Sequence, residues 1–453
     1  MGPEKQVFDT WGRPRIDFHS SPSFVDSPML TSLQNNTPVF ERLTKPLMTS
    51  TVQNPHARSC SSINDLEWLE TGVLRVIGEE KSGRGFLQKL CYAGRDIAVG
   101  HFFGTLRSYR RLKYIQHANE SLLKLMKTDR ASSDPLSKYE DLSKFDIHAG
   151  DGHFHIHATH DERIEDSKRA VEHFYSLNLR TYGLWHLTMA QIGGDTKREH
   201  DMSAVKRQEI EALRQGAKKG RKVLYVWDRA AIDFMLWEKL KQRGIYFVTR
   251  SKSNLKFTEV EEYEFDKEDT VNKGVLYDQL VKSKTNENHV RRVIYRCPFS
   301  GKTFSFLTNM HKAVRPGLVA HLYKMRWDVE KIFDEIKNKL NEKKSWSSHP
   351  NGKVAQANFI CITHNLLRLL EDEVEKDGVE NKQDKERREC RTEKALEKTK
   401  LSADQVSVMN RTAQRVTQRS IVFIRWLREY LLSEGYWSDF LSSLRMSYVR
   451  FGR

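Results

Sequence analysis

Between residues 144 and 255 strand and helix signals alternate, and no other feature of the sequence constrains the fold as tightly. KFDIHAGDGHFHIHAT reads as a strand pair or one long bent strand, and NLRTYGLWHLTMAQI as a further strand region. SAVKRQEIEALRQGAKKG has helical spacing and a glycine stop. KVLYVWD is a short, continuously apolar strand of the kind buried on both faces. AIDFMLWEKLKQRG is a helix ended by Gly244, and IYFVTRSKSN the next strand. Strands spaced by helices predict an α/β fold, with a parallel or mixed sheet and helices on its faces. From 256 to 310 the signals are strands alone (FTEVEEYEF, GVLYDQLV, HVRRVIYRC, KTFSFLTN), which predicts a β-rich insertion. Pro316 then opens a long helix expected to run to about Glu342, and VAQANFICITHNLLRLLEDEVE forms another.

The flanks differ. Residues 1–60 are rich in Ser, Pro, Thr and Asn without a persistent period, which predicts a mobile arm. Residues 61–140 turn helical, with SSINDLEWLETGVLRVI opening on cap-type residues and ending near Gly78. In LRSYRRLKY, Arg107, Arg110, Arg111 and Tyr114 recur at helical spacing on one face, a stripe suited to DNA phosphates. The same spacing also suits a solvated face. The expected plan is a helical DNA-binding domain over 61–140, a catalytic core over 141–255 and 311–370, and the insertion over 256–310. A charged linker and helical region fill 371–453.

Charge narrows the partner. Lys and Arg number 76 against 60 Asp and Glu, a net charge of +16. That excess points to a polyanion, either nucleic acid or an anionic membrane surface. No run of 18 apolar residues is present, so no membrane span is expected. The opening MGPEKQ lacks a signal-peptide pattern, and Gln6 stands where myristoylation needs Ser or Thr. The five cysteines show no CxxC spacing, which argues against a cysteine zinc site and for the reducing cytoplasm.

Three segments carry candidate chemistry. In HLYKMRWDVEKIFDEIKNKL, Tyr323, Arg326, Glu330 and Lys337 share a helical strip about 60° wide. Beside it, Val329, Ile332, Phe333, Ile336 and Leu340 form the face that packs on the core, with Asp328, Lys331, Glu335 and Lys339 expected outside. An amphipathic helix with an Arg326–Glu330 pair explains the periodicity. It leaves unexplained why a cation, an acid and a phenol line the core edge together. Asp228 follows VLYVW, at the strand end where open α/β sheets gather their sites, although a helix-capping role fits as well. Asp151 lies between glycines in GDGHFHIHATHD, a segment that opens a run of histidines. His148, His153, His155, His157 and His160 fall within thirteen residues. The alternating row suits zinc and equally suits a hydrogen-bonded, partly buried face. With no further ligand set in the sequence, the buried face is the reading adopted.

The Y-x2-R-x3-E-x6-K spacing of Tyr323, Arg326, Glu330 and Lys337 resembles the YREK signature of bacterial insertion-sequence transposases with a DDE triad. VLYVWDRAAIDF with YFVTRSKSN is similar to their second-aspartate segment, and GDGHFHIHATHD to the first-aspartate segment of one branch. SGRGFLQKL and LRSYRRL are similar to that branch's N-terminal region, so the likeness spans roughly residues 60–450. The resemblance implies an RNase H-like catalytic core carrying a β-rich insertion. It implies a triad of Asp151, Asp228 and Glu330 holding two Mg²⁺ or Mn²⁺ ions, with Asp161 a rival first acid. Tyr323, Arg326 and Lys337 would hold DNA phosphates, joined by Arg107, Arg110 and Arg111 of the helical stripe. A flipped terminal base stacked on an aromatic of the insertion is also implied, with Tyr295, Phe304 and Phe306 as candidates. The implied activity is cut-and-paste transposition: metal-dependent cleavage at the element's terminal inverted repeats and strand transfer into target DNA. A homodimer bridging two ends, working on the bacterial nucleoid in the cytoplasm, is implied too. The rival readings are a zinc-dependent hydrolase built on the 153–160 histidines and a non-catalytic DNA-binding protein.

Overall fold

The computed structural model describes residues 37–450 apart from 61, 163–169, 192–198, 200, 218, 230–231, 285–287, 299, 341–343, 380–389 and 391–420. Helices α1 (Val39–Thr51), α2 (Asp65–Ile77), α3 (Gly83–Tyr92), α4 (Val99–Phe102) and α5 (Tyr109–Asp129) precede the sheet. Strand β1 (Phe145–His155) is one long strand, followed by β2 (Val171–Asn178) and β3 (Leu184–Met189). Short helices α6 (Asp201–Lys206) and α7 (Ile210–Arg214) lead to β4 (Lys222–Val226), α8 (Phe234–Lys241) and β5 (Ile245–Arg250). Then come β6 (Phe257–Glu262), β7 (Val275–Ser283), β8 (His289–Arg296) and β9 (Thr303–Thr308). Helices α9 (Pro316–Met325), α10 (Trp327–Asn338), α11 (Pro350–Lys376), α12 (Ile421–Leu432) and α13 (Trp437–Arg450) complete the described chain. No helix among the described residues is long and apolar enough to cross a membrane.

The strands form one mixed sheet in the order β3-β2-β1-β4-β5-β9-β8-β7-β6. Strands β1, β2 and β3 are antiparallel neighbours, whereas β4 runs parallel to β1 and β5 parallel to β4. That half is the RNase H-like sheet the resemblance implied. Strand β9 pairs antiparallel with β5, so the four strands of 256–310 continue the core sheet rather than standing apart from it. Side-chain alternation then sorts the two faces. Phe145, Ile147, Ala149, Leu224, Val226 and Val248 join the large core that also takes in α9, α10 and α11. Val223, Tyr225, Trp227, Ile245 and Phe247 pack with α8 on the opposite face.

Several local expectations change. Residues 39–51, expected within the mobile arm, form α1; Val39, Phe40, Leu43 and Leu47 supply a buried apolar stripe despite Pro46. Residues 1–36 lie outside the described residues. The single helix expected within 203–220 is replaced by two short ones, α6 and α7, and Gln215 and Gly216 take left-handed φ values of 46° and 68° after the second. The helix begun at Pro316 is interrupted at Arg326, where hydrogen bonds tighten to three-residue spacing (Arg326 N–H to Tyr323 O, Val329 N–H to Arg326 O).

Two buried polar devices fix the flanks of the sheet. Asn365 of α11 accepts the Leu184 N–H at 2.8 Å and donates to Asn119 Oδ1 of α5 at 2.9 Å, tying both helices to β3. In the insertion, Arg291 donates through Nε and Nη2 to both oxygens of Asp278 (2.8 and 2.7 Å), and to the carbonyls of His311 and Val314. Both side chains are almost fully buried. Replacing Arg291 with Ala strands a buried carboxylate, and the expected loss of unfolding free energy is about 3–5 kcal/mol by urea denaturation. A paired Arg291→Met, Asp278→Leu variant is expected to recover most of it.

Candidate active site

The register of β1 and β4 places two acids at one level. Ala149 pairs with Val226, so Asp151 and Asp228 stand two residues past the last pair on neighbouring parallel strands. Both share the parity of Ala149 and Val226, and therefore the sheet face on which α10 lies. Helix α10 buries Val329, Ile332, Phe333 and Ile336 against that face, and Glu330 stands at the edge of the stripe.

The three carboxylates gather on one cation. Arg326 Nη1 lies 3.3 Å from Asp151 Oδ2, and Nη2 lies 2.6 Å from Glu330 Oε1 and 3.8 Å from Asp228 Oδ1. The Arg326 side chain is only 5 % exposed, whereas Asp228 and Glu330 reach solvent at 47 % and 38 %. Burial works against the guanidinium charge, but Asp151 and then Glu330 outweigh it and hold the Arg326 pKa above its ordinary value. Tyr323 packs against the buried Phe306 ring at 5.0 Å, with the Arg326 guanidinium 5.8 Å from its own ring centre. Burial raises the Tyr323 pKa, and Arg326 opposes it. Lys337 is exposed, close enough to help depress the His153 pKa after burial.

Both glycines beside Asp151 have a steric reason. A Cβ on Gly150 would come within 2.0 Å of the Trp227 ring, and one on Gly152 within 2.5 Å of Glu172 Oε1. Trp227 in turn stacks on Tyr225 with centroids 4.9 Å apart. Gly150→Ala must push Trp227, the neighbour of Asp228, aside. The expected cost is about 1–3 kcal/mol, read as a shifted urea midpoint.

Other expected residues go elsewhere. Asp161 pairs with Lys353 at 2.9 Å and accepts the Ala158 N–H, away from the three acids. The exposed stripe over 107–114 is corrected. Arg107 ends a 3₁₀ turn before the Ser108 cap, and of the four residues it alone is exposed. Arg110 donates twice to Asp65 at 2.7 Å; Arg111 is buried over Trp68 and donates to Ile63 O; Tyr114 is buried too. Asp65 draws these arginines inward because α2 packs against the start of α5. Asp328 and Glu335, expected on the outer side of α10, are each 1 % exposed. Asp328 accepts from Lys331, and the charge of Glu335 acts on Arg368 of α11.

The histidine row does not converge on one point. His153 stacks on Phe333 at 4.9 Å, and His155 meets His173, which bonds His186 at 3.0 Å. His148 faces the other side, beside Tyr225 and Ser176. His157 and His160 lie past the end of β1. Among the described residues no group of three or more His, Cys, Asp or Glu is set to hold a metal ion. The donors around Arg326 nonetheless fit Mg²⁺ or Mn²⁺ by chemistry: three hard carboxylates at one cation position and no sulfur. Tyr295 and Phe306 are buried, and Phe304 lies under Arg250 at 4.9 Å, so the expected base-stacking candidates are engaged. Sequence reasoning passed over Trp327, 56 % exposed directly beside Arg326, and Arg250 at the end of β5, whose charge reaches Tyr323. Trp327 sat in the signature unremarked, and position at a parallel strand's carboxyl end was the available signal for Arg250.

Comparison with known proteins finds a likeness over most of the site. Residues 154–366 match the family described as the transposase DDE domain, a span that includes Asp228 and Glu330 and begins three residues after Asp151. A Sinorhizobium fredii protein whose name describes it as a transposase is 27% identical over 151 residues, 32% of this chain and 42% of that protein. The chain thus spans less than half the length of that curated relative. The cryo-EM structure of the piggyBac transposase synaptic complex with hairpin DNA aligns over 91% of this chain and 86% of its own, at 10% identity and a TM-score of 0.31.

Proposed function

We propose, from the match of residues 154–366 to the transposase DDE domain, that this protein is a DNA transposase that cuts the ends of its own insertion sequence and joins them to target DNA. The observation that carries this reading is the meeting of Asp151, Asp228 and Glu330, from within β1, just past the end of β4 and from one helix, around a single cation position. In this reading the three carboxylates hold two Mg²⁺ or Mn²⁺ ions. Bound there, the ions would lower the pKa of a water or 3′-hydroxyl nucleophile and stabilise the leaving oxygen. Arg326 and Lys337 take DNA phosphates, the first bidentately and the second as a point charge, and Tyr323 donates to another. Trp327 offers an exposed indole on which an unpaired base can stack. The net charge of +16 favours duplex DNA as partner, on the bacterial nucleoid in the cytoplasm, and a homodimer would bridge the two ends.

The test is direct. The purified full chain is incubated with duplex DNA carrying the sequences that flank its coding region. Cuts confined to the repeat boundaries and abolished by EDTA are expected. Absence of end cleavage with either Mg²⁺ or Mn²⁺ would overturn the proposal. Stoichiometric zinc with DNA-independent hydrolysis would revive the histidine-row hydrolase, against which the scattered geometry of those histidines now stands.

A further inference from the structure

Arg326 stands where the metal ions of the proposed function would bind. Its guanidinium is nearly sealed from solvent, its buried Nε has no hydrogen-bond partner among the described residues, and both terminal nitrogens are engaged by the acids. A phosphate-binding arginine in its working position would instead present that planar fork outward. Three carboxylates this close repel one another, and one internal cation offsets part of that repulsion. Arg326 lies at the break between α9 and α10, and the neighbouring Trp327 side opens to solvent.

Resting on the transposase reading, we infer that Arg326 is an exchangeable counter-cation. Without DNA it neutralises the acids and competes with divalent metal. A DNA phosphate draws it out of the cluster, and the acids then accept metal. DNA and metal therefore bind with positive coupling through this one side chain, and the coupling is reciprocal: metal tightens DNA as much as DNA tightens metal. A positioning role of this kind confines the metal-loaded state to DNA-bound protein.

The experiment titrates full-length protein with Mn²⁺ alone, reading free Mn²⁺ by electron paramagnetic resonance, with and without a short end duplex. Wild type is expected to bind Mn²⁺ at least about tenfold more tightly with DNA present. Arg326→Ala is expected to bind Mn²⁺ about tenfold more tightly than wild type without DNA, and to lose most of the DNA effect. Arg326→Gln, which keeps hydrogen-bonding capacity without charge, must behave alike, and serves alone should the alanine variant fail to fold. Unchanged or weaker Mn²⁺ binding by the folded neutral variant overturns the inference and leaves the transposase reading intact. Mn²⁺ binding insensitive to Asp151→Asn overturns the metal assignment as well.

Discussion

Asp151→Asn, Asp228→Asn and Glu330→Gln are each expected to lower end cleavage on the order of 10³- to 10⁴-fold, while DNA-end binding holds within a few-fold. Each amide keeps the shape of the acid and removes its charge, so packing is barely touched. What is lost is a hard anionic donor to the proposed metal ions. DNA binding survives because the acids repel phosphate, and neutralising one of them favours the polyanion slightly. The three losses are also expected to be non-additive, since a double variant removes a unit already broken. Single-turnover cleavage of labelled end duplex, paired with a gel-shift titration, separates the two quantities. Near-normal cutting by any one variant would remove that residue from the triad.

Much of this site was legible because its determinants are local. The placement of Arg326 beside Glu330 follows from 3.6-residue periodicity, although the break at Arg326 that leaves Tyr323 on α9 does not, and VLYVW followed by Asp228 announces a strand end. The glycines around Asp151 were plain in the sequence, but their steric reason, the Trp227 ring over Gly150, was not. What stayed hidden depends on contacts between distant segments. Arg110 and Arg111 read as a solvent-facing stripe because nothing local shows that Asp65, 45 residues earlier, will claim the first of them. Asp328 and Glu335 read as outward because nothing local shows that Arg368 of α11 will come within reach of the Glu335 charge. Strand β2 escaped notice since Glu172 and His173 interrupt its apolar pattern, although His173 is fully buried. Nor could the sequence place His173 and His186 beside His155, because strand order brings them together.

Those histidines give the fold a steep acid limit. Burial lowers the pKa of His148 to about 4 and those of His155, His186 and His321 to about 3. Above pH 6.5 each is neutral whether the chain is folded or not, and none affects stability. Below 6.5 the unfolded chain takes up protons that the folded one refuses. Stability must therefore fall as pH falls, and it keeps falling until the folded-state values near 3–4 are reached. Each group costs about 1.4 kcal/mol per pH unit across that window, so four acting together cost roughly 5 kcal/mol per unit. Against a total of about 5–15 kcal/mol, cooperative unfolding is expected between about pH 4 and 5.5. Carboxylates such as Asp141 and Asp146 are held below the ordinary carboxylate value. Burial raises their pKa, but Arg315 for the first and Lys127 with Arg221 for the second more than reverse it. Their contribution therefore persists until the pH drops below the ordinary carboxylate range, and they cannot produce the loss at pH 5. Urea midpoints measured from pH 7.5 to 4.5 read the slope, and His155→Phe and His186→Phe should each make it shallower. A midpoint that stays flat over that interval would mean these imidazoles accept protons in place, and that the packing around His173 and Phe333 is looser than the structure has it.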